Sequence, residues 1–144
     1  MDDNRLYSVL ALAGAIPFLA CAILPLVGIE AIEPVGNLHE LAARYGLAII
    51  SFLTGIHWAT YLYKPEKSPA NLFVVSNAMF LVVWFAYELV DLPFALATQF
   101  VAFAMLLAID FRIMTSRAIT PHYFRTRALA TALASVSLAI MLVS

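Results

Sequence analysis

Five side chains able to do chemistry stand in stretches that otherwise read as hydrocarbon. His57 and Trp58 close the segment Ser51-Phe-Leu-Thr-Gly-Ile-His-Trp58, Asn77 sits in a run of valine and phenylalanine, and Asp110 and Arg112 end another apolar run. Ionisable groups are costly inside a bilayer, and those kept there tend to mark function. Together the five could hold a small molecule: His57 and Asp110 supply hydrogen bonds, Trp58 an aromatic wall, and Arg112 a charge. One nitrogen of the imidazole is expected to meet a hydroxyl or an amide such as Asn77, with Asp110 the alternative partner.

Bulk composition explains why the surroundings are apolar. Of 144 residues, 64% are hydrophobic and 12% are charged, and the mean hydropathy is +0.94. A soluble domain of this size keeps too much of its surface wet to hide so much apolar area. The net charge of −1 offers no basic field for nucleic acid. The single cysteine, Cys21, excludes an intrachain disulfide and a cysteine-only metal cage.

A membrane-spanning helix needs about 20 apolar residues, and five windows qualify: about 6–29, 38–63, 69–90, 93–112 and 121–143. They fill nearly the whole chain, so the expected fold is one all-α domain, a polytopic membrane bundle of five helices over residues 1–144. Ser68-Pro69 and Thr120-Pro121 each pair a good cap with proline at the first helical position. Asn37-Leu-His-Glu40 has the form of a capping box. Asp91-Leu92-Pro93 is short enough to force a tight antiparallel pair, and Pro17 should kink the first helix near its middle. The acidic leader Met1-Asp-Asp-Asn-Arg5 is a poor signal-peptide start, so the first window reads as a span and Cys21 as a core residue.

Helical geometry then assigns faces. Ser51, Thr54, Trp58 and Tyr61 share one arc with His57 at its margin, while Ile49, Phe52, Leu53 and Ile56 lie opposite and can face lipid. Gly46 and Gly55 would allow a neighbouring helix to come close. Asn77, Leu81, Trp84 and Glu88 form a second stripe, and Gln99, Phe103, Leu106 and Asp110 a third. His57 lies seven residues before Lys64, about 10 Å along a helix from that end. Asn77, Asp110 and Arg112 fall near the same end, so a cytoplasmic-side cluster is geometrically available. A plainer reading stands beside it: serine and threonine satisfy carbonyls, the tryptophans pack or anchor, and Asp110 and Arg112 pair at the interface.

Tyr45-Gly46, the segment SFLTGIHW, Asp110, and Pro121-His-Tyr-Phe-Arg-Thr-Arg127 leading into a small-residue last helix resemble the membrane family of domain of unknown function 3429, the transmembrane-protein-69-like proteins. The resemblance covers helices two to five, with the helix-two motif its most specific part. It implies a bacterial or organellar inner-membrane protein and brings no activity with it. Bacterial members favour glycine where this chain carries Thr54 and Ala59.

No phosphate-binding loop, dinucleotide fingerprint, zinc-protease motif or CxxC is present. His39 and His122 lie at opposite membrane ends, which excludes a bis-histidine haem. The leading expectation is therefore a non-enzymatic accessory or assembly protein, without a cofactor or metal, packing against a larger membrane complex or its own copies. Its support is the last helix, where Ala128/Ala132, Thr131/Ser135 and Ser135/Ala139 repeat at four-residue spacing. The alternative is a binder of a quinone or lipid head group at the His57 cluster, and a proton-linked conductor ranks third.

Arg5, Lys64, Lys67, Arg112, Arg117, Arg125 and Arg127 lie toward one side of the expected bundle and only Arg44 toward the other. Seven against one orients the N-terminus to the cytoplasm and the C-terminus outside. A reporter active only in the cytoplasm, fused after Ser144, is expected to be silent, and activity there would overturn the orientation.

Overall fold

A computed structural model describes residues 2–144, which form six α-helices and one short hairpin. These are α1 (Asp3–Ala13), α2 (Ile16–Ile23), β1 (Ala31–Ile32), β2 (Gly36–Asn37), α3 (Leu38–Tyr63), α4 (Leu72–Leu89), α5 (Leu92–Thr115) and α6 (Pro121–Val143). With α1, α2 and the 3₁₀ turn that follows counted as one segment, five spans are long and apolar enough to cross a bilayer. The chain is an all-α multi-pass bundle.

Local chemistry sets the ends. Asn37 Oδ1 accepts from Glu40 N at 3.1 Å, Asp91 Oδ1 from Phe94 N at 3.0 Å, and Thr120 Oγ1 from Tyr123 N at 3.1 Å. Each satisfies an N–H that the first helical turn leaves open. The cap expected at Ser68 is instead Asn71, whose Oδ1 takes Phe73 N and Val74 N. A 3₁₀ turn over Pro65–Lys67 carries the chain on, and Ser68 Oγ is used to donate to Lys64 O. Between the first two spans, Ala31 pairs with Asn37 and Ile32 with Gly36, a hairpin that the hydropathy pattern does not announce. Gly36, at φ 98°, takes the left-handed turn there.

The first span breaks near Pro17, as expected, between α1 and α2. Tyr45 Oη donates to Gly14 O at 2.7 Å, so α3 caps a carbonyl at the break. Helices α3, α4, α5 and α6 each pack on the next; α2 closes the ring against α6 and α3, and α3 also meets α5. Phe18 sits in the middle, edge-on to Tyr45 and Phe103 with centroids 5.0 and 5.7 Å apart.

Two of the three expected inward stripes are corrected. On α3 the buried face is Ala42, Ala43, Gly46, Ile50, Leu53, Thr54 and His57, whereas Ser51 and Trp58 are exposed. On α4 it is Leu72, Ser76, Met79, Val83 and Ala86, and Asn77, Leu81, Trp84 and Glu88 face outward. Lipid solvates an aromatic ring as well as a protein interior does, so close-packing small residues win the interface. The α5 stripe is as expected, with Gln99, Phe103, Leu106 and Asp110 all buried.

Gly46 shows why a small residue is needed. Gln99, fully buried, donates through Nε2 to Ala43 O at 2.7 Å, and a Cβ on Gly46 would lie 2.8 Å from Gln99 Cδ. Gly55, by contrast, meets nothing. Gly46→Ala should displace that amide and lower stability by about 1–3 kcal/mol. Thermal unfolding in detergent reads the loss, which should shrink in a Gln99→Ala background; equal cost in both would remove the steric explanation.

Candidate functional site

Three spans bring a histidine, an aspartate and an arginine into one chain of contacts. His57 Nε2 lies 2.8 Å from Asp110 Oδ1, and Arg127 Nη2 lies 3.0 Å from Asp110 Oδ2. Their residues are 2%, 3% and 8% exposed, respectively. Asp110 thus bridges α3 and α6 from its place on α5. The Arg127 contact is an ion pair by distance but is not aligned as a hydrogen bond, so Asp110 Oδ2 and Arg127 Nη2 each keep unused hydrogen-bonding capacity.

Helix geometry explains who joins and who does not. His57 ends the buried face of α3, and Asp110 lies one turn beyond Leu106 on that of α5. Arg112 is exposed; two residues on from Asp110 it points about 200° away, the far side of the helix. Asn77 is exposed too, its amide donating to Phe73 O at 2.7 Å within its own helix. The expected amide partner of His57 is therefore replaced by a carboxylate. Trp58, 43% exposed, packs outside the bundle on Phe73, centroids 4.5 Å apart. Of the five residues named from the sequence, the structure brings together His57 and Asp110 and leaves Trp58, Asn77 and Arg112 at the periphery.

Arg127 joins them from α6, although the charge pattern alone places it only among the basic residues of a loop region. Its signal was present: α6 begins at Pro121, so Arg127 lies about 9 Å into the helix, near the depth of His57. It also starts a run with Thr131, Ala134, Leu138 and Met141, all buried at helical spacing.

Two clefts flank the bridge. One, of about 270 Å³, touches His57 and Asp110 and is lined also by Asn4, Tyr7, Thr60 and Tyr123. The other, of about 350 Å³, runs between the first span, α3 and α6, with Leu10, Phe18, Phe52 and Phe103 in its walls and Arg127 the one charged residue lining it. It exists because α1 rests on α6 while only α2 reaches α3 closely. Ser8 Oγ lies 3.1 Å from both His122 Nε2 and Thr126 Oγ1, and Tyr7 meets His122 and Tyr123 edge-on. These contacts hold α1 to α6. As metal ligands, His57 and Asp110 fall short of a set of three histidine, cysteine or carboxylate groups, and no such set occurs among the described residues.

The family described as "Protein of unknown function (DUF3429)" matches residues 4–143. No curated protein and no solved structure matches the chain.

Removing one partner of a buried ion pair strands the other charge, at a cost of about 3–5 kcal/mol. Arg127→Leu and Asp110→Leu should each lower stability by that order in detergent unfolding, while the double variant recovers a large part. Additive losses would show that the two charges do not depend on each other. His57→Gln, which can still donate to Asp110, should be milder than His57→Leu.

Proposed function

Because the chain belongs to the DUF3429 family, whose description assigns no activity, the site must carry the reading, and we propose that the protein is a non-enzymatic membrane protein that binds an amphiphilic small molecule. The ligand is of the quinone or lipid-head-group class, and its apolar part lies in the larger cleft. One observation carries this: a cleft walled by aliphatic and aromatic side chains reaches a buried guanidinium with unused hydrogen-bonding capacity. Ligand pockets have this composition, mostly apolar with few polar groups to set orientation. A guanidinium at that depth is costly in hydrocarbon, and such residues commonly serve a pathway or a ligand.

The proposal includes an orientation in a bacterial inner membrane, N-terminus in the cytoplasm and C-terminus outside. Arg5, Lys64, Lys67 and Arg117 gather at one end of the bundle in its support. There Lys64 Nζ donates to Ala118 O and Lys67 Nζ to Arg117 O, tying two loops together.

A second reading, an accessory protein docked on a larger complex or on its own copies, is favoured by a different surface. On α6, Ala132 is exposed and Ala128, Ser135 and Ala139 are half-buried, leaving a face of small side chains toward the membrane. Such faces let helices approach closely.

Purification in mild detergent, followed by solvent extraction and mass spectrometry, separates the two. The binding reading expects a stoichiometric amphiphile that is lost in Ala130→Phe, a substitution that fills the cleft beside Arg127. A protein partner retained equally by both forms, with no small molecule, would replace it with the accessory reading.

A further inference from the structure

Resting on the cleft as a binding site, we infer that it selects an uncharged head group presenting carbonyl oxygens, read by three hydrogen-bond donors: Tyr7 Oη, Thr131 Oγ1 and Arg127 Nη2. All three atoms are buried without a hydrogen-bond partner, and all three residues line the larger cleft.

The threonine is the most telling. In the membrane helices, Thr54, Thr60, Thr98 and Thr126 each donate to a carbonyl of their own helix, at 2.8 to 3.2 Å. Thr131, 4% exposed, makes no such bond. A hydroxyl in hydrocarbon readily takes the nearest helix carbonyl, because an unsatisfied polar group there is costly. Its neighbour on the same face, one turn earlier, is Arg127. Tyr7 comes from α1, its ring packed edge-on against His122 and Tyr123 near the start of α6. Donors from two spans therefore line one space whose walls offer no carboxylate. A ligand completing this arrangement must bring acceptors.

Charge accounting decides between a neutral and an anionic acceptor. Arg127 is the only cation lining the cleft, and the Asp110 carboxylate lies 3.0 Å from its Nη2. A carboxylate or phosphate head would be desolvated against a guanidinium already paired with a carboxylate. Burying an unpaired charge is far more costly than burying a neutral carbonyl that accepts two or three hydrogen bonds. The same chemistry is offered by a quinone ring and by the ester carbonyls of an uncharged diacylglycerol.

The test uses the full chain in nanodiscs of phosphatidylcholine, with three probes titrated by equilibrium dialysis: decylubiquinone, dioctanoylglycerol and decanoate. Saturable binding of either carbonyl probe, with decanoate at least tenfold weaker, is expected, and the tighter of the two identifies the source. Tyr7→Phe and Thr131→Val should each weaken the carbonyl probe about fivefold, the loss of one neutral hydrogen bond. Because both hydroxyls lack partners, the unfolding midpoints of these variants should be unchanged or higher, whereas structural hydroxyls would lower them. Decanoate binding as tightly, or carbonyl binding indifferent to both variants, overturns the head-group inference and leaves the cleft as a site. Absence of saturable binding by all three probes overturns both.

Discussion

A carboxylate in hydrocarbon must be answered by other groups, and Asp110 is answered by two helices at once. One oxygen meets His57 of α3 and the other meets Arg127 of α6. Neither partner can slide by a turn without leaving a charge or an acceptor bare in an apolar medium. The bridge therefore sets the relative register of three helices at one end of the bundle. Buried pairs of this kind are poor sources of net stability, since desolvation offsets much of the attraction. Their retention here is better understood as specificity of arrangement together with the exposure of Arg127 to a cleft.

The other half of the bundle is locked by a different device. Gln99 of α5 reaches Ala43 O of α3 and is accommodated only because Gly46 has no side chain. One charged contact and one neutral contact, separated along α3 by some fourteen residues or about 20 Å, thus define how α3 and α5 lie together. The first span is attached more loosely: Tyr45 caps Gly14 at the helix break, and the Ser8, His122 and Thr126 group holds α1 to α6. Because α1 leans on α6 rather than α3, a gap opens beside Phe52 and Arg127. The site follows from that asymmetry.

Residues whose surroundings are governed by lipid were the hardest to place. Trp58, Trp84 and Asn77 looked inward-facing because polar or aromatic side chains on a helix suggest a stripe that packs. In a membrane the solvent accepts an indole, and an asparagine can satisfy itself on the carbonyl one turn back. Neither needs the interior. Serine, alanine and methionine on α4, which carry little chemical signal, make the interface instead.

Local sequence alone determined the number of spans, most of their boundaries, two of the caps and the inward stripe of α5, because each depends on local chain chemistry and on the thickness of a bilayer. It also singled out His57 and Asp110, whose cost in hydrocarbon is evident wherever the helices pack. Rotation of α3 and α4, the choice of Arg127 over Arg112, and the cleft between α1 and α3 were decided only by the tertiary structure. Arg112 and Arg127 both stand near the same end of the bundle, and only packing of α6 against α5 turns one guanidinium toward Asp110 while the other stays on the opposite side of its own helix. A hydropathy pattern has no term for that choice, since in lipid both faces of a helix are apolar and the interface is selected by shape.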